Sequence, residues 1–186
     1  MKIGISGAKG AFSEEAALKY CEDRGIEGEI EFLVSVEGVL SALEAGEVDL
    51  GIFPIENSNG GIVIEAVHAM AAHRFMVKKL FEIDVHQNLL VMPGTNPDQI
   101  TAITSHDQAL KQCRMYLKRK WPGIELAEYA DTAKAAADLA NGTLPPSAAV
   151  IASKRAAEVY GLEVLEESIQ DLKFNYTSFV AAERLA

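Results

Sequence analysis

The sequence predicts an α/β fold with mostly parallel sheets. Short apolar segments with the character of strands alternate with segments whose apolar residues recur at helical spacing. This alternation is typical of proteins in which helices pack on a mostly parallel sheet. A chain of 186 residues with 49% hydrophobic residues can bury a real core, as one domain or as two small lobes.

The first part of the chain contains three predicted strands and three predicted helices. The strands span residues 3–6, 30–34 and 48–55, and the helices span residues 13–24, 36–45 and 62–74. Ser13 and Ser35 stand at positions that favour N-caps, and glutamates follow them in the first helical turns. The third helix follows the turn at Gly60 and Gly61.

A second set of elements follows a long predicted strand over residues 80–92. Pro93-Gly94 and Asn96-Pro97 predict a turn after this strand. Further strands are predicted over residues 102–104, 124–129, 148–152, 162–165 and 178–182. Helices are predicted over residues 107–119, 132–141 and 154–160.

Three polar segments lie at the ends of predicted strands or on a late strand. They are PIENSNGG at residues 54–61, TSHDQAL at residues 104–110 and NYTSF at residues 175–179. Parallel α/β sheets bind their ligands at the carboxyl ends of strands. The sequence therefore predicts that these segments contribute to one ligand site.

Each segment also has a purely structural interpretation. The spacing of Ser105 and Gln108 is that of a capping box, so this segment could be only a well-formed helix start. His106 adds nothing to such a cap, which leaves a ligand contact or a hydrogen-bonded core histidine. The glycines after Glu56-Asn57-Ser58 fit a ligand-binding loop, in which backbone amides bind a carboxylate, or a plain turn.

Several kinds of site are disfavoured by the sequence. The glycine turn at residues 6–17 lacks the order of a Walker loop and the full dinucleotide spacing. At the junction after Tyr129, Asp131 or Thr132 is expected only to cap a helix. His68 and His73 are five residues apart, which does not fit a helical zinc pair, so we expect no metal.

Composition restricts the partners and the compartment. A net charge of −10 with no basic stripe argues against nucleic acid. Cys21 and Cys113 lie far apart and are expected to be buried, reduced thiols. No signal peptide and no apolar run of roughly 18 residues is visible, so we expect a cytoplasmic protein without a membrane partner.

Taken together, the polar segments resemble the prephenate dehydratase family along nearly the whole chain. The matching motifs run from Gly10-Ala11-Phe12-Ser13 through the residue 54–61 and 104–113 segments to Tyr160-Gly161-Leu162 and Ile169-Gln170-Asp171. The last motif is Asn-x-Thr-Arg-Phe, which reads Asn175-Tyr176-Thr177-Ser178-Phe179 here. Several motifs in the right order are far more specific than any one of them.

The resemblance implies a two-lobed fold like that of type II periplasmic binding proteins. One lobe would comprise residues 1–77 and 168–186 and the other residues 78–167, with the substrate in the cleft. Dehydratases of this type usually carry a C-terminal ACT domain that binds phenylalanine. We expect the present residues to correspond to the catalytic domain without it.

The resemblance also implies the reaction, a decarboxylating loss of water that turns prephenate into phenylpyruvate in phenylalanine biosynthesis. Thr177 is the expected catalytic hydroxyl, and no cofactor is needed. Glu56 is expected to fix its loop, since a free carboxylate beside a dianionic substrate would repel it. The expected substrate-binding residues are Glu56, Asn57, Ser58, Gly61, Thr104, Ser105, His106, Gln108, Asn175, Ser178 and Phe179.

One residue departs from the family pattern at the expected reacting centre. Ser178 stands where the family has an arginine, whose planar fork of donors suits a carboxylate of prephenate. Loss of such a charge-assisted contact costs about 1.5–3 kcal/mol, or on the order of 10–100-fold in binding or rate. The expectation is a weakened or altered activity.

Two alternatives remain open from the sequence. One is a related enzyme that decarboxylates prephenate without aromatising it, and the other is a non-catalytic domain that binds a dicarboxylate or keto acid. Arogenate, the aminated analogue of prephenate, is also open as the substrate. Dimers are common among relatives, so a homodimer is one expected state.

Overall fold

The computed structural model describes residues 1–185, which divide into two compact units. Unit 1 comprises Met1–Ala8, Phe12–Val85 and the residues from Phe174 on; unit 2 comprises Lys9–Ala11 and His86–Lys173. The sequence placed the two crossings near residues 78 and 168. In the structure they follow Val85 and Lys173.

The elements alternate along the chain as predicted. The strands are β1 (Lys2–Ile5), β2 (Glu29–Phe32), β3 (Leu50–Asn57), β4 (Gly61–Ile62), β5 (Phe75–Asp84), β6 (Asn88–Val91), β7 (Ala102–Ser105), β8 (Glu125–Glu128), β9 (Ala148–Ala152), β10 (Glu163–Glu166) and β11 (Tyr176–Arg184). The helices are α1 (Phe12–Arg24), α2 (Val36–Ala45), α3 (Ile64–Ala72), α4 (Asp107–Gln112), α5 (Arg114–Lys120), α6 (Thr132–Ala140) and α7 (Lys154–Tyr160), with a short 3₁₀ turn at Pro97–Gln99.

The sheet of unit 1 has the order β2-β1-β3-β11-β5, and β4 pairs with the end of β3. β1 is parallel to β2 and β3, whereas β11 is antiparallel to both β3 and β5. One face packs on α1 through residues such as Ala17 and Phe179. The other face packs on α2 and α3 through residues such as Leu40, Ala66 and Val180.

The sheet of unit 2 has the order β10-β6-β9-β7-β8. β7 is parallel to β8 and β9, whereas β6 is antiparallel to β9 and β10. One face packs on α4 and α5, with Leu110 and Leu117 in the core. The other face packs on α6 and α7, with Leu139 and Ala156 in the core.

The α/β fold is confirmed, but both sheets are mixed and not mostly parallel. The alternation of strands and helices cannot reveal this, because β11 inserts between β3 and β5 from the far end of the sequence. The predicted long strand at residues 80–92 is two strands, β5 and β6, in different units. The predicted helix at residues 107–119 breaks at Cys113, whose ψ of 10° ends α4.

Two of the predicted helix caps are confirmed and one is wrong. The Ser35 side chain accepts a hydrogen bond from Gly38 N, and the Asp131 side chain accepts one from Lys134 N. Ser13 lies inside α1, which already begins at Phe12. The turn before α1 is held within unit 2, where Gly10 O accepts a bond from Ser153 Oγ at 2.6 Å.

Gly10 is required by this turn. Its φ is +84°, and a Cβ built there would lie 3.1 Å from Ala156 Cα on α7. A larger residue would combine a left-handed backbone with a clash against main chain.

The two cysteines are free. Burial, with a contribution from Asp171, raises the pKa of the Cys113 thiol to about 12, so this thiol is inert at neutral pH. Cys21 is only half-buried, whereas the sequence predicted a buried thiol. Within residues 1–185 no helix is long and apolar enough to cross a membrane.

A histidine joins two helices of unit 1. His73, the C-cap residue of α3, places Nδ1 2.7 Å from Glu44 Oε2 and Nε2 2.6 Å from Glu37 Oε1, both on α2. Both ring nitrogens face carboxylates, so the ring must be protonated to donate to both. Hydrogen bonds from the ring to Glu44 and, second, to Glu37 raise the pKa of His73 above its usual 6.5.

This contact predicts that the protein loses stability as pH rises above about 6.5. A raised folded-state pKa contributes stability that is complete below the unfolded value of 6.5 and is lost as pH passes the folded value. The Glu44 pKa is lowered, first by the Arg74 backbone N–H and then by His73, so its contribution is lost only as pH falls below 4.5. Urea unfolding at pH 6 and pH 9 measures the effect.

The matched control is His73→Gln, which removes the titrating ring. In this variant the difference in unfolding free energy between pH 6 and pH 9 should shrink. An identical difference in both proteins would contradict the assignment.

Candidate functional site

The side-chain amide of Asn57 is the centre of a polar cluster in unit 1. Asn57 is the last residue of β3 and lies directly opposite Thr177 on β11. Its Nδ2 lies 2.9 Å from Thr177 Oγ1, 2.9 Å from Asn175 Oδ1 and 3.2 Å from Tyr176 O. The structure thus brings together residues from two of the predicted polar segments, more than 100 positions apart in sequence.

The Thr177 hydroxyl is held as a donor. It is 8% exposed, and its oxygen accepts a hydrogen bond from Asn57 Nδ2. A hydroxyl that accepts such a bond keeps its own proton for donation, and chains of hydrogen bonds strengthen one another. The arrangement provides an oriented O–H donor at the end of a rigid strand.

Asn175 supports this cluster from within the protein. It is fully buried, its Nδ2 donates to Val85 O at 3.1 Å, and its Oδ1 accepts bonds from Asn57 and Asn59. Its amide is satisfied by protein groups on both sides. Its side chain holds the loop, and its expected contact with the substrate stays a prediction.

The loop after β3 uses its backbone amides internally. Asn57 Oδ1 accepts bonds from Asn59 N at 3.0 Å and Gly60 N at 2.7 Å. Ser58 N donates to Tyr176 O, and Ser58 Oγ accepts from Tyr176 N. The amides of residues 58–60 are thus occupied, and the expected binding of a carboxylate by the amides after the glycines stays a prediction.

Gly61 provides the change of direction in this loop. Its φ is +81°, a left-handed conformation that glycine adopts without steric cost, and it pairs with Asn57 as the start of β4. A glycine is needed here for the backbone conformation. The predicted ligand contact of Gly61 stays a prediction.

Ser178 lies on the opposite face of the sheet from Thr177. Side chains alternate along a strand, and the pairing of β11 with β5 is regular from Tyr176 to Ala181. Thr177 therefore shares the face of Phe179, which packs on the α1 side, and Ser178 shares the face of Val180 on the α2 and α3 side.

Two carboxylates flank Ser178 in the sheet. Ser178 lies opposite Glu56 on β3 and opposite Glu82 on β5, and its Oγ donates to Glu82 Oε1 at 3.1 Å. Directly opposite residues have Cβ atoms about 4.5–5.5 Å apart. Among residues 1–185 no lysine or arginine forms an ion pair with either carboxylate.

Phe179 belongs to the core of unit 1. It is 1% exposed and stacks on Phe81 with ring centroids 5.8 Å apart. The expected contact of Phe179 with the substrate stays a prediction. Its hydrophobic packing anchors the strand that carries Thr177.

In unit 2 the TSHDQAL segment forms the end of β7 and the start of α4. Thr104 is 3% exposed, and Ser105 is fully buried with its Oγ donating to Ile151 O at 2.6 Å. The Ser105 hydroxyl is therefore used to join β7 to β9. It caps no helix, and its expected substrate contact stays a prediction.

His106 is the N-cap residue of α4. Its Nδ1 accepts a hydrogen bond from Gln108 N at 3.2 Å, so the expectation that the imidazole adds nothing to the cap is wrong. His106 is exposed and Gln108 is half-buried, which leaves both side chains accessible. Their ligand roles stay predictions.

A cluster of three glutamine side chains in unit 2 was not predicted. Gln87 Nε2 donates to Gln112 Oε1 at 3.0 Å, and Gln87 N donates to Gln170 Oε1 at 3.0 Å. Gln112 and Gln170 lie in the family motifs, but Gln87 lies inside the strand predicted over residues 80–92, so the sequence gave no reason to place it in a polar cluster. No group of three residues able to hold a metal ion occurs in the described part of the chain.

Comparison with known proteins agrees with these motifs. The family model for prephenate dehydratase matches residues 3–185. A protein of Arabidopsis thaliana named arogenate dehydratase/prephenate dehydratase 6, chloroplastic, is 36% identical over 99% of this chain. The chain spans 43% of the length of that relative.

Solved structures give the same result. The prephenate dehydratase of Arthrobacter aurescens, in complex with L-Phe, matches all of this chain and 60% of its own, with a TM-score of 0.89 and 26% identity. A periplasmic substrate-binding protein of an ABC transporter from Coxiella burnetii shares the fold, with a TM-score of 0.51 and 15% identity over 97% of this chain. The chain belongs to the prephenate dehydratase family.

Proposed function

We propose that this chain catalyses the decarboxylating dehydration of prephenate to phenylpyruvate, a carbon–oxygen lyase step in phenylalanine biosynthesis. The observation that supports it is the buried Thr177 hydroxyl, fixed as a donor by the Asn57 amide. Family membership gives the reaction, and this geometry supplies a group suited to it.

The reaction needs a proton at the departing hydroxyl. As the ring carboxylate leaves as carbon dioxide, its bonding electrons enter the ring and the C4–oxygen bond breaks. The leaving hydroxide takes up a proton and departs as water, and the ring becomes aromatic. A hydrogen-bond donor at that oxygen therefore stabilises the charge that develops in the transition state.

Thr177 is proposed to be this donor. A free threonine is a weak acid, so its effect must come from positioning and from a site with little water. β11 is held between two strands, and Phe179 anchors it in the core two residues further on. These constraints fix the direction in which the Thr177 hydroxyl points.

Further contacts to the substrate carboxylates belong to the same proposal. Among the expected substrate-binding residues, Ser58 and His106 are exposed and Gln108 is half-buried, so their polar side chains are accessible. Thr104 is buried on β7, so its proposed contribution is to place the start of α4. Glu56 lies opposite Ser178 in the sheet, and we assign it to that contact and not to the substrate.

The position of Ser178 changes how the missing family arginine is interpreted. An arginine at residue 178 would lie between Glu56 and Glu82 and on the other face from Thr177. We infer that its loss removes ion pairs within the sheet and not a contact with the reacting groups. The departure therefore does not favour the non-aromatising decarboxylase over the dehydratase.

Arogenate is the alternative substrate, since the Arabidopsis relative is named for both activities. A reducing compartment such as the cytoplasm is proposed because both cysteines are free thiols. A homodimer stays a prediction.

We expect Thr177→Ala to lower kcat/KM for prephenate by roughly 10²–10⁴-fold, the range for a positioned proton donor. Thr177→Ser retains the hydroxyl and is the matched control, expected to lose far less. Phenylpyruvate is measured by the absorbance of its enolate in alkali. Undiminished phenylpyruvate formation by Thr177→Ala would exclude this residue, and a purely non-aromatic decarboxylated product would exclude dehydration.

We expect Ser178→Arg to raise the melting temperature by a few degrees, because the guanidinium would pair with Glu56 and Glu82. Its kcat/KM for prephenate should change less than roughly 3-fold, which is well below the change expected when a charge-assisted contact with the substrate is gained or lost. Ser178→Ala is the control for loss of the bond to Glu82. A 10–100-fold gain in kcat/KM from Ser178→Arg would instead assign residue 178 to substrate binding.

A further inference from the structure

Unit 2 contains a buried amide oxygen without a hydrogen-bond partner. Gln87 is 4% exposed, and its Oε1 is a buried side-chain atom for which residues 1–185 provide no donor. The other polar groups of this residue are all paired. Its N donates to Gln170, its O accepts from Ile169 N at 2.8 Å, and its Nε2 donates to Gln112.

The neighbouring residue shows that this segment can satisfy a buried amide. Asn88 is 2% exposed, and its Nδ2 donates to His86 O at 3.0 Å and Ala152 O at 3.2 Å. Its Oδ1 accepts from Ser168 N at 3.1 Å. Buried polar groups are paired almost without exception in native proteins, so the unpaired oxygen of Gln87 requires an explanation.

The direction of this oxygen is fixed by its surroundings. Hydrogen bonds to the Gln170 side chain and from Ile169 N hold the Gln87 main chain, and the bond from Nε2 to Gln112 Oε1 sets the plane of the amide. The result is a rigid, buried acceptor, and inside a protein a hydrogen bond is stronger than in water. Such a group can bind a donor but would repel a carboxylate or a ketone.

We propose that Gln87 Oε1 is a ligand-binding acceptor that takes a hydrogen bond from a donor group of the substrate. This inference rests on the proposed function, which limits the substrate to prephenate or arogenate. Both carry one ring hydroxyl, and arogenate adds an ammonium group in place of the ketone oxygen of prephenate. The hydroxyl and the ammonium are the donors that these molecules offer.

The test compares Gln87→Met with the unchanged chain on both substrates. Methionine has a similar length and no hydrogen-bonding oxygen, so the variant should fold with a similar melting temperature. We expect kcat/KM to fall roughly 5- to 100-fold, because a donor of the bound substrate is left unpaired. Gln87→Leu replaces it as the apolar variant if Gln87→Met does not fold.

Two controls separate substrate binding from a structural role. Gln112→Met removes the acceptor of the Gln87 Nε2 donor but keeps Gln87 Oε1, and it should retain more activity than Gln87→Met. Asn88→Ala removes a fully paired amide, so it should lower the melting temperature while the folded enzyme keeps kcat/KM within about 2-fold. An equal loss of kcat/KM in Gln112→Met and Gln87→Met would assign the effect to the contact with Gln112 and overturn the inference.

The two substrates identify the donor. If Gln87→Met loses the same factor in kcat/KM on prephenate and arogenate, the donor is the ring hydroxyl. If it loses kcat/KM on arogenate alone, the donor is the ammonium group. If the unchanged chain is active and Gln87→Met is equally active, the inference is overturned and the proposed function stays intact.

If the unchanged chain turns over neither substrate, the proposed function fails. The inference is then decided by the rise in melting temperature that each substrate causes when it is added. An equal rise in melting temperature in Gln87→Met and in the unchanged chain overturns the inference.

Discussion

The side-chain amide of Asn57 organises the polar cluster at the end of β3 in unit 1. Its Nδ2 reaches Thr177 and Asn175 on or beside β11, and its Oδ1 accepts two backbone amides of the following loop. One side chain thus sets the end of β3, the course of the loop and the orientation of the Thr177 hydroxyl. Because the Thr177 oxygen accepts a bond in this part-buried network, its hydrogen is left for donation, as the proposed role of Thr177 requires.

The alternation of side chains along β11 places the Thr177 hydroxyl and Ser178 on opposite faces of the sheet. Thr177 and Phe179 lie on one face of the sheet, whereas Ser178 and Val180 lie on the other. Thr177, the proposed proton donor, therefore lies on the face opposite to Ser178, which is flanked by Glu56 and Glu82. A departure from the family pattern at residue 178 consequently changes the other face of the sheet from the one that carries the Thr177 hydroxyl, although the two residues are covalent neighbours.

Buried amides are used in two ways in this protein. Asn175 and Asn88 pair all of their polar side-chain atoms and hold segments that are distant in sequence. Gln87 pairs its nitrogen but not its oxygen. An amide whose partners all lie within the protein therefore stabilises the fold. An amide with an unpaired oxygen suits the ligand-binding role that we propose for Gln87.

The sequence by itself determined the α/β class, most element bounds and the set of polar motifs, because hydrophobic periodicity and helix caps are local properties. It also indicated Thr177, since the motif around it is contiguous. Only the tertiary structure decided that the sheets are mixed, that Ser105 and Asn175 are occupied by internal hydrogen bonds, and that Ser178 faces away from Thr177. These features depend on pairings between residues far apart in the chain, and local pattern carries no information on which distant group a side chain will meet.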